Sequence, residues 1–163
     1  GGQTAADKAL APETIKKALA YSKECNGLSL ALMQNGRIIF EDYHNGFESE
    51  DSHILTSATK SFSGVILAAL IDDGLVASFD EKVSETITEW KGDPGKSGIS
   101  LRALLSLSSG LDPGPLVRVI PYAESIQSPL RSPPGTVFKY GPVPFQIFGE
   151  VVKRKLKGEN ALA

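Results

Sequence analysis

Residues 57–74, Ser57-Ala58-Thr59-Lys60-Ser61-Phe62-Ser63-Gly64-Val65-Ile66-Leu67-Ala68-Ala69-Leu70-Ile71-Asp72-Asp73-Gly74, decide how this chain is read. Phe62, Val65, Ile66, Ala69 and Leu70 recur at the spacing of a helix, and the middle is apolar nearly all round. The pattern predicts a buried helix over 57–73. Gly74 is its natural stop, because the residue after a helix often takes a left-handed backbone. The start of the helix carries the chemistry. Ser57 and Lys60 stand three residues apart and share a face. A helix N-terminus presents unbonded N–H groups and a positive partial charge, which favour a developing oxyanion. A lysine beside a serine there can take the hydroxyl proton and leave a nucleophile. The plainer reading is a capping serine followed by a surface lysine. Ser-x-x-Lys by itself is too short to decide. Lys60 nevertheless lies one turn before an almost wholly apolar stretch, where a solvated lysine is less expected.

Upstream, Pro12 to Ser22 reads as a first helix, with Pro12 at the first helical position and Ile15, Leu19 and Ser22 on one face. Leu28 to Gln34 alternates, Leu28, Leu30 and Leu32 pointing one way. Asn35-Gly36 follows, then Arg37 to Tyr43. Asn-Gly between two apolar runs predicts an antiparallel hairpin, because a type I′ turn needs positive φ at both positions. Downstream, Asp80 to Trp90 is a weak helix or loop, and Asp93-Pro94-Gly95-Lys96 is a turn. Ser100 is a plausible N-cap for a helix through Leu105. Pro113 to Gly135 holds six prolines and reads as a long irregular segment, a kind that is often functional. Val143 to Lys157 predicts a last helix, with Phe145, Phe148, Val151 and Val152 apolar and a basic C-terminal end.

The composition narrows the function. The chain has 163 residues, 41% apolar and 22% charged, as in a globular protein. At that length about two-thirds of the unfolded surface can be buried. A net charge of −2 leaves no basic excess for phosphates, so nucleic acid is not an expected partner. No apolar run is long enough for a membrane span. One cysteine, Cys25, excludes an internal disulfide and a Cys-based metal site, and the two histidines, His44 and His53, leave little for a His-rich one. No metal or cofactor is expected. Both histidines read as surface residues, Cys25 and Trp90 as packing, and Asp72-Asp73 and residues 48–51 as solvated charge. Gly-x-Ser-x-Gly is absent, which disfavours an α/β-hydrolase. Gly1-Gly2 without an initiator Met fits a processed export signal, and with it a periplasmic or secreted location, or a tag remnant.

Three stretches together resemble the serine β-lactamase and penicillin-recognising family, in the branch of class C β-lactamases, D-Ala-D-Ala carboxypeptidases and related esterases. The first is Leu55-Thr56-Ser57-Ala58-Thr59-Lys60-Ser61-Phe62 running on to Asp73-Gly74-Leu75 and Phe79-Asp80-Glu81-Lys82-Val83. The second is Ile99-Ser100-Leu101-Arg102-Ala103-Leu104-Leu105-Ser106-Leu107-Ser108-Ser109-Gly110-Leu111. The third is Pro134-Gly135-Thr136, Phe138-Lys139-Tyr140 and Phe148-Gly149-Glu150-Val151. Ser-x-x-Lys is the nucleophile motif of this class, and the resemblance runs over about residues 28 to 157.

The resemblance implies an α/β (α+β) fold of β-lactamase/transpeptidase type, an antiparallel sheet flanked by helices with a helical region between Ser57 and Tyr140. It implies that Ser57 is the acylating nucleophile, Lys60 its base partner, and Tyr140 the tyrosine of the family's Tyr-x-Asn motif, sharing proton transfer and activating the deacylating water. A core tyrosine with a satisfied hydroxyl is the plainer reading of Tyr140. The reaction implied is acyl transfer on a small-molecule or peptide ester or amide. Two departures stand out. Pro142 replaces the motif's Asn and with it an amide that would bind a substrate carbonyl, which points away from β-lactams. Leu107 stands where the family often has His, and reads as structural. The family's third motif, a Lys/His-Thr/Ser-Gly strand, has no counterpart, so residues 1–163 are expected to be the N-terminal portion of one hydrolase domain. A second chain carrying the C-terminal part, or self-association through the hairpin, is the partner expected. A catalytically silent binding or scaffold protein on the same fold is the alternative.

Overall fold

Asn35 and Gly36 both take positive φ, 50° and 74°, as a type I′ turn requires. They close an antiparallel hairpin of β1, Ser29–Gln34, and β2, Arg37–Tyr43. Gln34 pairs with Arg37 and Met33 with Ile38, but Leu32 pairs with Phe40, so Ile39 is the extra residue of a bulge. Burial alternates along β1, with Leu30 and Leu32 half-buried and Ala31 and Met33 exposed, as the spacing predicts. The computed structural model describes residues 10–156. It divides the chain into two compact units, 1–54 and 55–163.

In the first unit α1, Pro12–Glu24, precedes the hairpin, with Pro12 in its first turn. Ile15, Leu19 and Ser22 form its half-buried face. Two expectations fail here. Cys25 caps the helix and is exposed, so it is not packing. His44 is buried, at 7% exposure, rather than on the surface. Its ring lies between two partners, accepting or donating at 2.9 Å to Ser22 Oγ through Nε2 and to Asp42 Oδ1 through Nδ1. A buried imidazole needs such partners, and one of them lies 22 residues upstream, where no local pattern reveals it.

The second unit is helical. A 3-10 helix, Thr56–Ser61, runs into α2, Phe62–Asp72. Short turns at Val83–Glu85 and Thr88–Trp90 follow, then α3, Leu101–Leu105, α4, Tyr122–Ile126, and α5, Val143–Lys155. Ser100 caps α3 by accepting the N–H of Ala103 at 3.1 Å. Asp93 Oδ1 accepts the N–H groups of Gly95 and Lys96 and makes the expected turn. Leu67, Leu70, Val83, Ile87, Ile99, Leu104, Ile147 and Val151 build one core. Trp90 packs there too, its Nε1–H donating to the carbonyl of Ile126 at 3.0 Å. That same contact anchors α4, an element unexpected within the proline-rich segment. Lys157 and the residues after it lie outside the described range.

The helix over 57–73 departs from expectation. Its first turn is 3-10, with about three residues per turn instead of 3.6, and only Leu67 and Leu70 of α2 are buried. Phe62, Val65 and Ile66 are 54%, 66% and 45% exposed. An all-apolar sequence carries no polar face to show its orientation. The stripe that reaches the core of this unit is therefore set by packing and not by pattern.

Candidate active site

Thr56, at the head of the 3-10 helix, has φ of 48°. A β-branched residue adopts this left-handed backbone at a cost of about 1–3 kcal/mol, which the surrounding structure must hold in place. Ser57 follows it. The capping position belongs to Leu55, and no side chain caps this helix. The reading of Ser57 as a mere N-cap is thereby excluded. The 3-10 turn brings Lys60 back over Ser57, with Nζ 3.2 Å from Oγ.

Lys60 is half-buried and Ser57 exposed. The lysine ammonium also faces two rings, with Nζ 5.6 Å from the centroid of Tyr140 and 5.8 Å from that of Phe145. Such cation–π distances hold a lysine end in place. All three residues singled out in the sequence, Ser57, Lys60 and Tyr140, therefore converge across 83 positions of chain. Tyr140 is 43% exposed, so it is not a core tyrosine.

Its position is held from both sides. The N–H of Lys139 donates to the carbonyl of Leu107 at 2.8 Å, and that of Gly135 donates to Ser108 at 2.7 Å. Leu107 has φ of 59°, which turns its carbonyl toward this segment. After Tyr140, Gly141 lies against Pro113, where a Cβ would come within 2.3 Å of the Pro113 oxygen. The same oxygen accepts the N–H of Val143 at 3.1 Å. Pro113 and Leu107 were not singled out as site residues. Only the prolines around 113 and the small Gly141 hinted at such a close approach.

The Tyr140 hydroxyl is held below the usual phenol range. Its hydrogen bond with Ser57 is the main cause, the charge of Lys60 and a hydrogen bond with Lys60 add to it, and partial desolvation opposes them. Anything that lowers a phenol pKa stabilises its phenolate. Pro142 caps α5 in place of the family's Asn and brings no amide. Beside Lys60 opens a cavity of about 560 Å³, between α2, the segment 116–119 and the start of α5. Among the described residues no group of three His, Cys, Asp or Glu side chains is placed to hold a metal, and no helix is long and apolar enough to cross a membrane.

The Ser22–His44–Asp42 array in the first unit has the bond pattern of a hydrolase triad. Its serine is half-buried. A Cβ on Gly27 would lie 2.3 Å from Ser22 Oγ, so the Gly27 backbone packs closely beside this hydroxyl. Asn45, with φ of 56°, bonds the carbonyls of Lys23 and Gly27 beside it. This array is a clasp between α1 and the end of the hairpin.

Comparison with known proteins agrees with the fold. The Beta-lactamase family model matches residues 12–159. Over 81 residues the chain is 30% identical to the 6-aminohexanoate-dimer hydrolase of Paenarthrobacter ureafaciens, a match covering 50% of this chain and 20% of that protein. A solved β-lactamase-type structure from Bacteroides dorei superposes with a TM-score of 0.70 at 25% identity, over 92% of this chain and 48% of the other. A penicillin-binding protein homologue from Caulobacter crescentus gives 0.61 at 19%, over 92% and 46%. The chain thus spans about half the length of the solved structures it matches. With the family model matched over residues 12–159 and mixed helix and sheet like its solved neighbours, this chain belongs to the Beta-lactamase family.

Proposed function

We propose that this chain carries the nucleophile and proton-transfer groups of a serine hydrolase that works through an acyl-enzyme on an ester or amide. The observation that supports it most is the 3.2 Å approach of Lys60 Nζ to Ser57 Oγ beside a Tyr140 whose hydroxyl is unusually acidic. Ser57 Oγ attacks the substrate carbonyl and its proton passes to Tyr140 Oη. The Lys60 ammonium keeps the phenolate and the nascent alkoxide low in energy. Tyr140 then returns the proton to the leaving oxygen or nitrogen as the carbonyl–leaving-group bond breaks. Water, deprotonated by the same tyrosine, releases the acyl group from Ser57. Tyr140 acts as the base and the Lys60 charge sustains it, so the two work as one unit. The relative from Paenarthrobacter is named for a hydrolysis, and the same steps serve an amide or an ester.

Pro142 favours a second reading, a binding protein that holds substrates without turning them over, since the motif's carbonyl-binding amide is gone. Kinetics of the intact protein on a nitrophenyl ester separate the two. Ser57→Ala and Lys60→Ala each remove nearly all turnover on the hydrolase reading, without adding when combined. Lys60→Arg does not rescue, because a planar guanidinium cannot place its charge where the compact lysine Nζ stands beside Ser57 Oγ. Wild-type turnover in Ser57→Ala overturns the proposal.

A further inference from the structure

The cavity beside Lys60 differs in character from the hydrolytic groups next to it. Phe62 and Ile66 of α2, Leu116 and Val119 of the irregular segment, and Phe145 of α5 supply its walls. These side chains stand open, Leu116 at 70% and Val119 at 77% exposure. Its charged lining consists of Lys60 and Arg118, and no carboxylate is among the lining residues. Arg118 is paired with Glu124, its Nη2 2.5 Å from Oε1. The volume of about 560 Å³ falls within the range of about 300–1,000 Å³ usual for small-molecule sites. Lys60 joins this space to Ser57 through one bond and to Phe145 through its ring contact.

We infer that this cavity holds the apolar acyl chain of a neutral ester and selects against acyl groups that end in an ammonium. The inference rests on the proposed function and names the substrate class for it. An aliphatic chain covers exposed apolar walls on entering. A terminal ammonium gives up water against these walls, meets the Lys60 charge and finds no carboxylate in the lining, Glu124 being held by Arg118. The acyl half is the part that stays bound through both chemical steps, so an apolar wall beside the nucleophile can assist both only by holding that half. The chain thereby departs from the relative named for a 6-aminohexanoate dimer, whose acyl group carries an amine.

The test is kcat/KM of the intact protein on nitrophenyl esters with a constant leaving group. Acetate, butyrate, hexanoate and heptanoate form the chain series, and 6-aminohexanoate is the near-isostere of heptanoate that ends in ammonium. Expected are a gain of about two- to fourfold per methylene and a preference for heptanoate over 6-aminohexanoate of at least about 30-fold, from charge desolvation. Val119→Asp, at an exposed position, should shrink that preference at least about fivefold by supplying an anion. Its fold is checked by circular dichroism. Acetate turnover with a flat series, or equal use of 6-aminohexanoate, overturns this inference and leaves the hydrolase reading standing. No turnover of acetate together with an unlabelled Ser57 overturns both.

Discussion

The N–H of Lys139 donates to the carbonyl of Leu107 at 2.8 Å, and this bond places the residue before Tyr140 against a backbone turned by a left-handed leucine. Gly141, on the other side of Tyr140, meets the Pro113 oxygen. The phenol is thus aimed at Ser57 by two backbone contacts that involve no catalytic side chain. Gly141→Ala should force the segment outward, since its Cβ would stand 2.3 Å from that oxygen. A shift of about 1 Å at a reacting group costs on the order of 100-fold. We expect kcat to fall by that order while KM for a nitrophenyl ester changes little, read from steady-state kinetics.

Tyr140 also predicts a pH profile. Its hydroxyl is held below the ordinary phenol value of about 10, and in the proposed mechanism the deprotonated form is the base. Turnover should therefore rise with pH and level off below the pH at which a free phenol ionises. Tyr140→Phe should remove this rising limb and lower kcat by about 100- to 10,000-fold, the usual worth of a general base. A rising limb of unchanged position in Tyr140→Phe would assign it to another group.

Much of the chain was legible because its signals are local. Asn35-Gly36 needs only its own backbone to make a hairpin, and Ser100 needs only the N–H of Ala103. That Ser57, Lys60 and Tyr140 lie together was readable because the motifs around them are specific in order and spacing. What escaped depends on distance or direction. The apolar circumference of α2 gave no hint that Val65 faces outward and Leu67 inward. The burial of His44 depends on Ser22, from a different element. The short α4 ends on a carbonyl bonded by Trp90, 36 residues earlier.

Arg154 ties α5 to the turn Thr88–Trp90, with its guanidinium 2.8 and 2.7 Å from the two oxygens of Glu89 and 2.8 Å from Glu150. The hydrogen bonds from Arg154 hold the Glu89 carboxyl down to about 2, against an ordinary 4.5. A depressed carboxylate stabilises the fold above its unfolded value, and that contribution is lost as pH falls from about 4.5 toward 2. Glu89 is half exposed, so the pair is worth about 1 kcal/mol at most. Glu89→Gln should lower Tm by about 2–4 °C at pH 7, and the difference from wild type should close near pH 2, followed by circular dichroism.

Large apolar side chains stand open in both units. Met33 and Ile38 of the hairpin are 68% and 56% exposed, and Phe62 and Val65 of α2 are 54% and 66%. The hairpin is the only sheet among the described residues, and its outer edges are unpaired. Open edges and apolar patches drive association. Residues 1–163 prepared alone should self-associate, or take up a polypeptide that covers these faces, in sedimentation velocity at micromolar concentration. A monodisperse monomer at those concentrations contradicts this.

The central claim is that Ser57 is a nucleophile activated by Lys60 and Tyr140. Covalent labelling of the intact protein by a fluorophosphonate, followed by intact mass and peptide mapping, tests it most directly. The account predicts one adduct per chain on Ser57, absent in Ser57→Ala and slowed at least about 100-fold in Lys60→Ala. An adduct that persists in Ser57→Ala, or that maps to another residue such as Ser22, would contradict it.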